Sequence, residues 1–332
     1  MKLCEVNLLE MGGKALKAQD LTRIDKKYIA STVALVAKIA GIQRHDLHLL
    51  GSTGKNPTSG DIDIGVDSSK YQPEHVNARM VARLGDEHSI FNNGTKIYSY
   101  AVPIVKRVGE EFFEIGGKVQ VDLVFTPSIE WAKFAYYSEG TSGAQTSYKG
   151  AIRTVLLKSV ASMYTEPGID LLAYDPHTEE LVIRVGRTFD LTHGLRRIFQ
   201  YRPERKNGSP LQSPYVKSMK TVHTIEELHP ALEALKKRHP GKFDGIELDV
   251  ADHEIIINDP DKALKMIFPG APVHPNDVRT AEQVLDLISK RFPPDMQLKI
   301  LEKAKHAIDG LSKDMRTPDI DAYIEHARKL KQ

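Results

Sequence analysis

The segment Asp61-Ile62-Asp63-Ile64-Gly65-Val66 places an apolar residue at every second position and an aspartate or glycine between. A period of two is the mark of a strand with one face on a core. Asp61 and Asp63 then share the other face, about 6–7 Å apart along it. A second segment, Val119-Gln120-Val121-Asp122-Leu123-Val124-Phe125, repeats the pattern with Asp122 opposite to Val121 and Leu123. If the two strands are neighbours, three carboxylates crowd onto one sheet face. Like charges repel there, and hard divalent cations with oxygen ligands relieve the repulsion. Mg²⁺ takes a few carboxylates together with phosphate oxygens and water, which suits this set. Two such ions, with Mn²⁺ as a substitute, would activate a hydroxyl and steady a leaving pyrophosphate.

Upstream lies Leu50-Gly51-Ser52, at the end of a short apolar run that reads as a strand. Glycine allows close backbone approach to a ligand, and the amides and hydroxyl of such a turn can hold phosphate oxygens. Gly51 and Ser52 are therefore candidate nucleotide-binding residues. The stretch Gly51-Ser52-Thr53-Gly54-Lys55 imitates a P-loop but fails it, since Leu49 and Asn56 stand where Gly and Ser or Thr are required.

The combination of Leu50-Gly51-Ser52, eight residues, Asp61-Ile62-Asp63-Ile64 and a later strand aspartate, Asp122, resembles the signature of the DNA-polymerase-β-like nucleotidyltransferase superfamily. The resemblance covers roughly residues 20–160. It implies a small mixed sheet with flanking helices and two-metal transfer of a nucleoside monophosphate from a nucleoside triphosphate. It also implies that Asp61 and Asp63 hold both metals and that Asp122 holds the one on the acceptor side. A Lys or Arg on a helix after the third carboxylate often reaches the outer phosphates in that superfamily. Lys149, Arg153 and Lys158 are the candidates, with Lys55 and Ser59 in the loop before Asp61.

The remaining pattern organises the chain. Helices are expected at about 20–40, 74–84 and 144–163. Strands are expected at Lys96–Val105 and Lys118–Phe125, joined through the glycines at 109, 116 and 117. Beyond about 165, short strands are expected at 181–185, 247–250 and 254–257, with an irregular Arg/Lys/Pro-rich stretch at 196–220. Helices follow at 261–268, 276–291, 296–309 and 320–330, punctuated by prolines. The expected fold class is α/β (α+β). A nucleotidyltransferase domain would span 1–165, and an α-rich accessory region with a few short strands would span 166–332.

Charge is nearly balanced, with 46 Lys+Arg against 44 Asp+Glu, so overall charge does not dictate partners. Locally, Arg184, Arg187, Arg196, Arg197, Arg202, Arg205, Lys206, Lys217 and Lys220 face only Asp190 and Glu204, with Phe199, Tyr201 and Tyr215 interleaved. Cations grip phosphates and exposed aromatics stack on unpaired bases. RNA, with a tRNA 3′ end as one form, is therefore the favoured acceptor. A protein, small-molecule or nucleotide acceptor is the alternative, and a non-catalytic nucleotide- or RNA-binding module is the other. A mean hydropathy of -0.35, no apolar run near 18 residues and no apolar leader segment point to a cytoplasmic protein without a membrane partner. The single cysteine, Cys4, excludes an internal disulfide, and no histidine pair shows a metal-binding spacing.

Overall fold

The computed structural model describes residue 16 and residues 21–92, 97–139, 149–163, 165–172, 183–201, 220–222, 233, 237, 256–309 and 320–331. For residues 149, 165–172, 183–186, 197–201, 220–222 and 331 it describes the backbone alone.

After β1 (Ile24–Asp25) comes α1 (Lys26–Ala40), whose buried stripe is Ile29, Val33, Val36, Ala37 and Ala40. Gly41, at φ 67°, ends it with an amide returned to the Ala37 carbonyl. β2 (His48–Leu49), β3 (Thr58–Ser59) and β4 (Asp61–Asp67) follow, then α2 (Pro73–Leu84), with a proline in its first turn. β5 (Ser89–Asn92), β6 (Ile97–Val108) and β7 (Glu111–Thr126) complete a five-stranded sheet of order β2-β4-β7-β6-β5. Only β4 and β7 run parallel, so the sheet is mixed. Ile62, Ile64, Val66, Val121 and Leu123 are fully buried and pack in one cluster with the α1 stripe and with Val76 and Met80 of α2. That one-sided burial leaves the alternate residues of β4 and β7 for the opposite face.

A short α3 (Ile129–Ala135) is capped by Ser128, whose hydroxyl accepts from the Trp131 amide at 3.2 Å. α4 (Lys149–Met163) precedes a second, antiparallel sheet of β8 (Thr165–Leu172), β9 (Ile183–Asp190), β10 (Gly194–Tyr201) and β11 (Lys220–Val222), ordered β11-β10-β9-β8. The helices α5 (Pro260–Ile267), α6 (Ala281–Arg291), α7 (Pro294–Asp309) and α8 (Ile320–Lys331) follow. Trp131, Phe134, Leu156, Phe189, Leu264, Leu285 and Leu301 share one apolar cluster, so α3 and α4 pack with the C-terminal helices. No helix among the described residues is long and apolar enough to cross a membrane.

The mixed α/β expectation holds, with three local corrections. The first helix begins at Lys26, because Leu21 forms a parallel bridge with Lys118 and Ile24 pairs with Ser59. The stretch Gly109–Gly117 is not a connection. The chain turns at 109–110, and β7 runs on through Gly116 and Gly117, while the ladder shifts register between Pro103 and Val105. Residues 194–201 form β10 although Arg196-Arg197 interrupts their apolar alternation. β8 absorbs Pro167-Gly168 in a register shift between Thr165 and Asp170. The expected strand at 247–250 and residues 254–255 of the next one lie outside the described residues; of 256–257, Ile257 is paired through a bridge to Leu195.

Candidate active site

Parallel pairing of β4 with β7 sets Asp63 directly beside Asp122 and Asp61 beside Gln120. One carboxylate oxygen from each of Asp61, Asp63 and Asp122 lies within 4.8 Å of the others. No other group of three or more acidic, His or Cys side chains among the described residues meets that condition. The sheet enforces this crowding, because Ile62 and Ile64 are locked in the core on the reverse face.

The electrostatics follow from the packing. Burial first, then the charges of Asp61 and Asp122, hold the Asp63 carboxyl well above the ordinary 3.8. Asp63 keeps some contact with solvent, yet the packing around it outweighs either neighbouring charge. Burial likewise pushes Asp122 to about 7, aided by Asp61 and opposed by hydrogen bonds from Ser99 and Gln120. Gln120 Nε2 donates to both Asp122 oxygens, at 3.0 and 3.1 Å, and fixes their orientation. The buried Gln120 Oε1 has no hydrogen-bond partner among the described residues. Three hard oxygen donors that resist ionising together are the donor set a divalent cation relieves, so these residues fit Mg²⁺ or Mn²⁺.

The Gly-Ser turn is built against the same strand. The Leu50 amide donates to the Asp63 carbonyl at 2.9 Å, and the Asp63 amide donates to Thr53 Oγ1 at 3.0 Å. Gly51 adopts φ 60°, and a Cβ there would stand 2.4 Å from Asp63 Oδ2. Both facts favour glycine, since any side chain would strain the backbone and displace the Asp63 carboxylate. Among the described residues, neither the amide nor the hydroxyl of Ser52 has a hydrogen-bond partner. Ser59, by contrast, is buried and its hydroxyl accepts from the Gly54 amide at 3.2 Å, so it braces the loop.

The basic candidates separate. Arg153 is 1% exposed. Its Nε donates to the Val278 carbonyl and its Nη1 to the Ala135 carbonyl at 3.4 Å, which ties α4 to α3 and to the 3-10 turn Pro275–Val278. Arg153, a candidate for the outer phosphates, is thus held inside the fold, and burial lowers its guanidinium to about 10. Lys158 is half-buried. It lies about 140° around the helix from Arg153, so the two do not share a face. Lys149 opens α4, and only its backbone is described. Arg153→Leu is expected to lower stability by about 2–4 kcal/mol in a thermal melt, since two buried carbonyls lose their donor.

Lys55, four residues past Gly51, donates to the Ser138 carbonyl at 2.5 Å, with its amine 4.5 Å from the Tyr137 ring centroid. In the basic stretch, Arg187 is buried against Met266, and Arg196 stands 3.6 Å from Asp190, so both are engaged inside the fold. The backbones of Arg184, Arg197, Phe199, Tyr201 and Lys220 lie on the second sheet. Arg202, Arg205, Lys206, Tyr215 and Lys217 lie outside the described residues.

Three contributors escape a motif reading. Gln120 had a signal, since it precedes Asp122 by two residues on one strand face. Thr53 and Ser99 had none, because their roles come from pairing across the chain. No protein-family model, no curated protein and no solved structure matches this chain.

Proposed function

We propose that the chain is a metal-dependent nucleotidyltransferase, which moves a nucleoside monophosphate from a nucleoside triphosphate to a hydroxyl acceptor and releases pyrophosphate. The observation that carries this reading is the triad of Asp61, Asp63 and Asp122 oxygens within 4.8 Å, with Gly51 packed against Asp63. Asp61, Asp63 and Asp122 would hold the divalent ions, which would neutralise triphosphate charge and make the acceptor hydroxyl easier to deprotonate. The Ser52 amide and hydroxyl receive phosphate oxygens. Gln120 keeps both Asp122 oxygens aimed into the site. The acceptor oxygen bonds the α-phosphorus as the bond from that phosphorus to the in-line pyrophosphate oxygen breaks, and the hydroxyl proton passes to solvent. Positioning and preorganised charge supply the rate.

The acceptor we favour is RNA, on the cations and aromatics of residues 184–220. A small-molecule, nucleotide or protein acceptor is the second reading, because Arg187 and Arg196 are engaged inside the fold. Incubation with each α-³²P-labelled nucleoside triphosphate, Mg²⁺ and total cellular RNA separates the two. Label in an RNase-sensitive band that weakens steeply with added salt is the expected result. Label on protein or on a small molecule assigns the second reading.

A further inference from the structure

β6 and β7 run past the sheet that holds the triad. β5 pairs with β6 no further than Tyr100, and β4 pairs with β7 no earlier than Gln120. Beyond those points the two strands form a ribbon, paired from Val105–Glu114 to Val108–Glu111 and closed by Gly109 and Glu110. Residues paired across an antiparallel ladder share a face. Val105, Arg107, Phe112 and Glu114 therefore take one face, and Lys106, Val108, Glu111 and Phe113 the other. Ile115, two residues past Phe113, continues the second face. The first face leans on α1. The Val105 amide donates to Thr32 Oγ1 at 3.3 Å, and the Lys38 amine lies 5.6 Å from the Phe112 ring centroid.

The second face is uncovered. Val108 is 54% exposed, Phe113 49% and Ile115 43%. Apolar side chains gathered on one exposed face gain free energy when a partner removes them from water. The charges define that partner. The ribbon carries Lys106 and Arg107 against Glu110, Glu111 and Glu114, so it suits neither a phosphate backbone nor an anionic membrane. The uncovered face itself holds one cation, Lys106, and one anion, Glu111. Neither has an ion-pair partner among the described residues. The two occupy one diagonal of a four-residue patch, and Phe113 and Val108 occupy the other.

We propose that this face pairs with the same face of a second copy of the chain. A two-fold axis lying in the interface along the Phe113–Val108 diagonal sets each of those two residues against its own counterpart. The same axis sets Lys106 of each copy against Glu111 of the other. Apolar atoms then meet apolar atoms, and each charge meets its opposite. Spacings of about 5 Å across the ladder and about 7 Å along a strand make the patch nearly square. The two ribbons therefore cross near a right angle, as strands do in orthogonal packing. The pairing stands whether or not the chain transfers nucleotides.

Sedimentation velocity of the full chain across about 1–300 μM tests the pairing, since so small an interface dissociates in the micromolar range. A reversible monomer–dimer equilibrium is expected. Phe113→Asp, an exposed change whose fold is checked by its melting temperature, places like charges together on the axis. It should weaken the dimer by about tenfold or more. Lys106→Glu and Glu111→Lys should each weaken it too, because like charges then face one another. Mixed together, those two variants should form a heterodimer, in which every acidic side chain of one copy meets a lysine of the other. The double variant Lys106→Glu/Glu111→Lys should regain the homodimer. A chain that is monomeric throughout, a dimer unchanged in folded Phe113→Asp, or a mixture that stays monomeric would overturn the proposal. Because no metal and no transfer enter the readout, none of these results bears on the triad.

Discussion

Asp63→Asn should abolish nucleotidyl transfer and yet raise the melting temperature of the metal-free protein at pH 8. Asp63 stands directly beside Asp122 on the neighbouring strand, with a carboxylate oxygen within 4.8 Å of one of Asp61. Its carboxyl is held well above the ordinary value by burial and by both neighbours. At pH 8 without metal the site therefore stores repulsion that an amide removes. The gain should be roughly 1–3 kcal/mol, the range for relieving an uncompensated buried polar group. The same change deletes a ligand shared by the proposed ions, and activity should fall about 10²–10³-fold or more. A loss of both stability and activity would mean that Asp63 serves the fold and not a cation.

The pH dependence has a definite sign. Asp122 titrates at about 7 in the native state against an ordinary 3.8. Between those values the native chain binds more protons than the unfolded chain. The stability of the metal-free protein should therefore fall as pH rises through that window. A divalent cation competes with those protons, so its stabilisation should grow over the same window. Melting curves in EDTA and in Mg²⁺ at pH 5 and pH 8 check this. Equal metal stabilisation at both values would contradict it.

Gly51→Ala should be the other severe change. A methyl there would lie 2.4 Å from Asp63 Oδ2, and the backbone at φ 60° disfavours any side chain. Either the turn or the carboxylate must move, and a displacement near 1 Å in a reacting site costs about 10²-fold. Gly109→Ala is the control. Its φ is 61°, but a Cβ there meets nothing within 4 Å. Both variants carry the same backbone penalty, of roughly 1–2 kcal/mol. Only Gly51→Ala should lose activity. Equal activity in the two would remove the turn from the site.

The centre of the molecule was legible because one local rule governs it. Strand alternation at 61–66 and 119–125 fixes which face each aspartate takes, and the parallel β4–β7 register joins them. Gly51-Ser52 was readable for the same reason, as a turn at a strand end. What could not be read depends on partners distant in sequence. Arg153 is a phosphate candidate by its place on a helix after Asp122, but its acceptors in the fold are Ala135 and Val278, up to 125 residues away. Leu21 and Ile24 fit a helical period, yet Lys118 and Ser59 claim their backbones.

The most direct measurement is pyrophosphate release with each nucleoside triphosphate in Mg²⁺ and total cellular RNA, comparing the unaltered chain with Asp61→Ala/Asp63→Ala. The expected result is release from the unaltered chain alone, matched mole for mole by α-phosphate label on an acceptor and stopped by EDTA. Equal release by the double variant, or release that persists in EDTA, would contradict the assignment of Asp61, Asp63 and Asp122 as the catalytic centre.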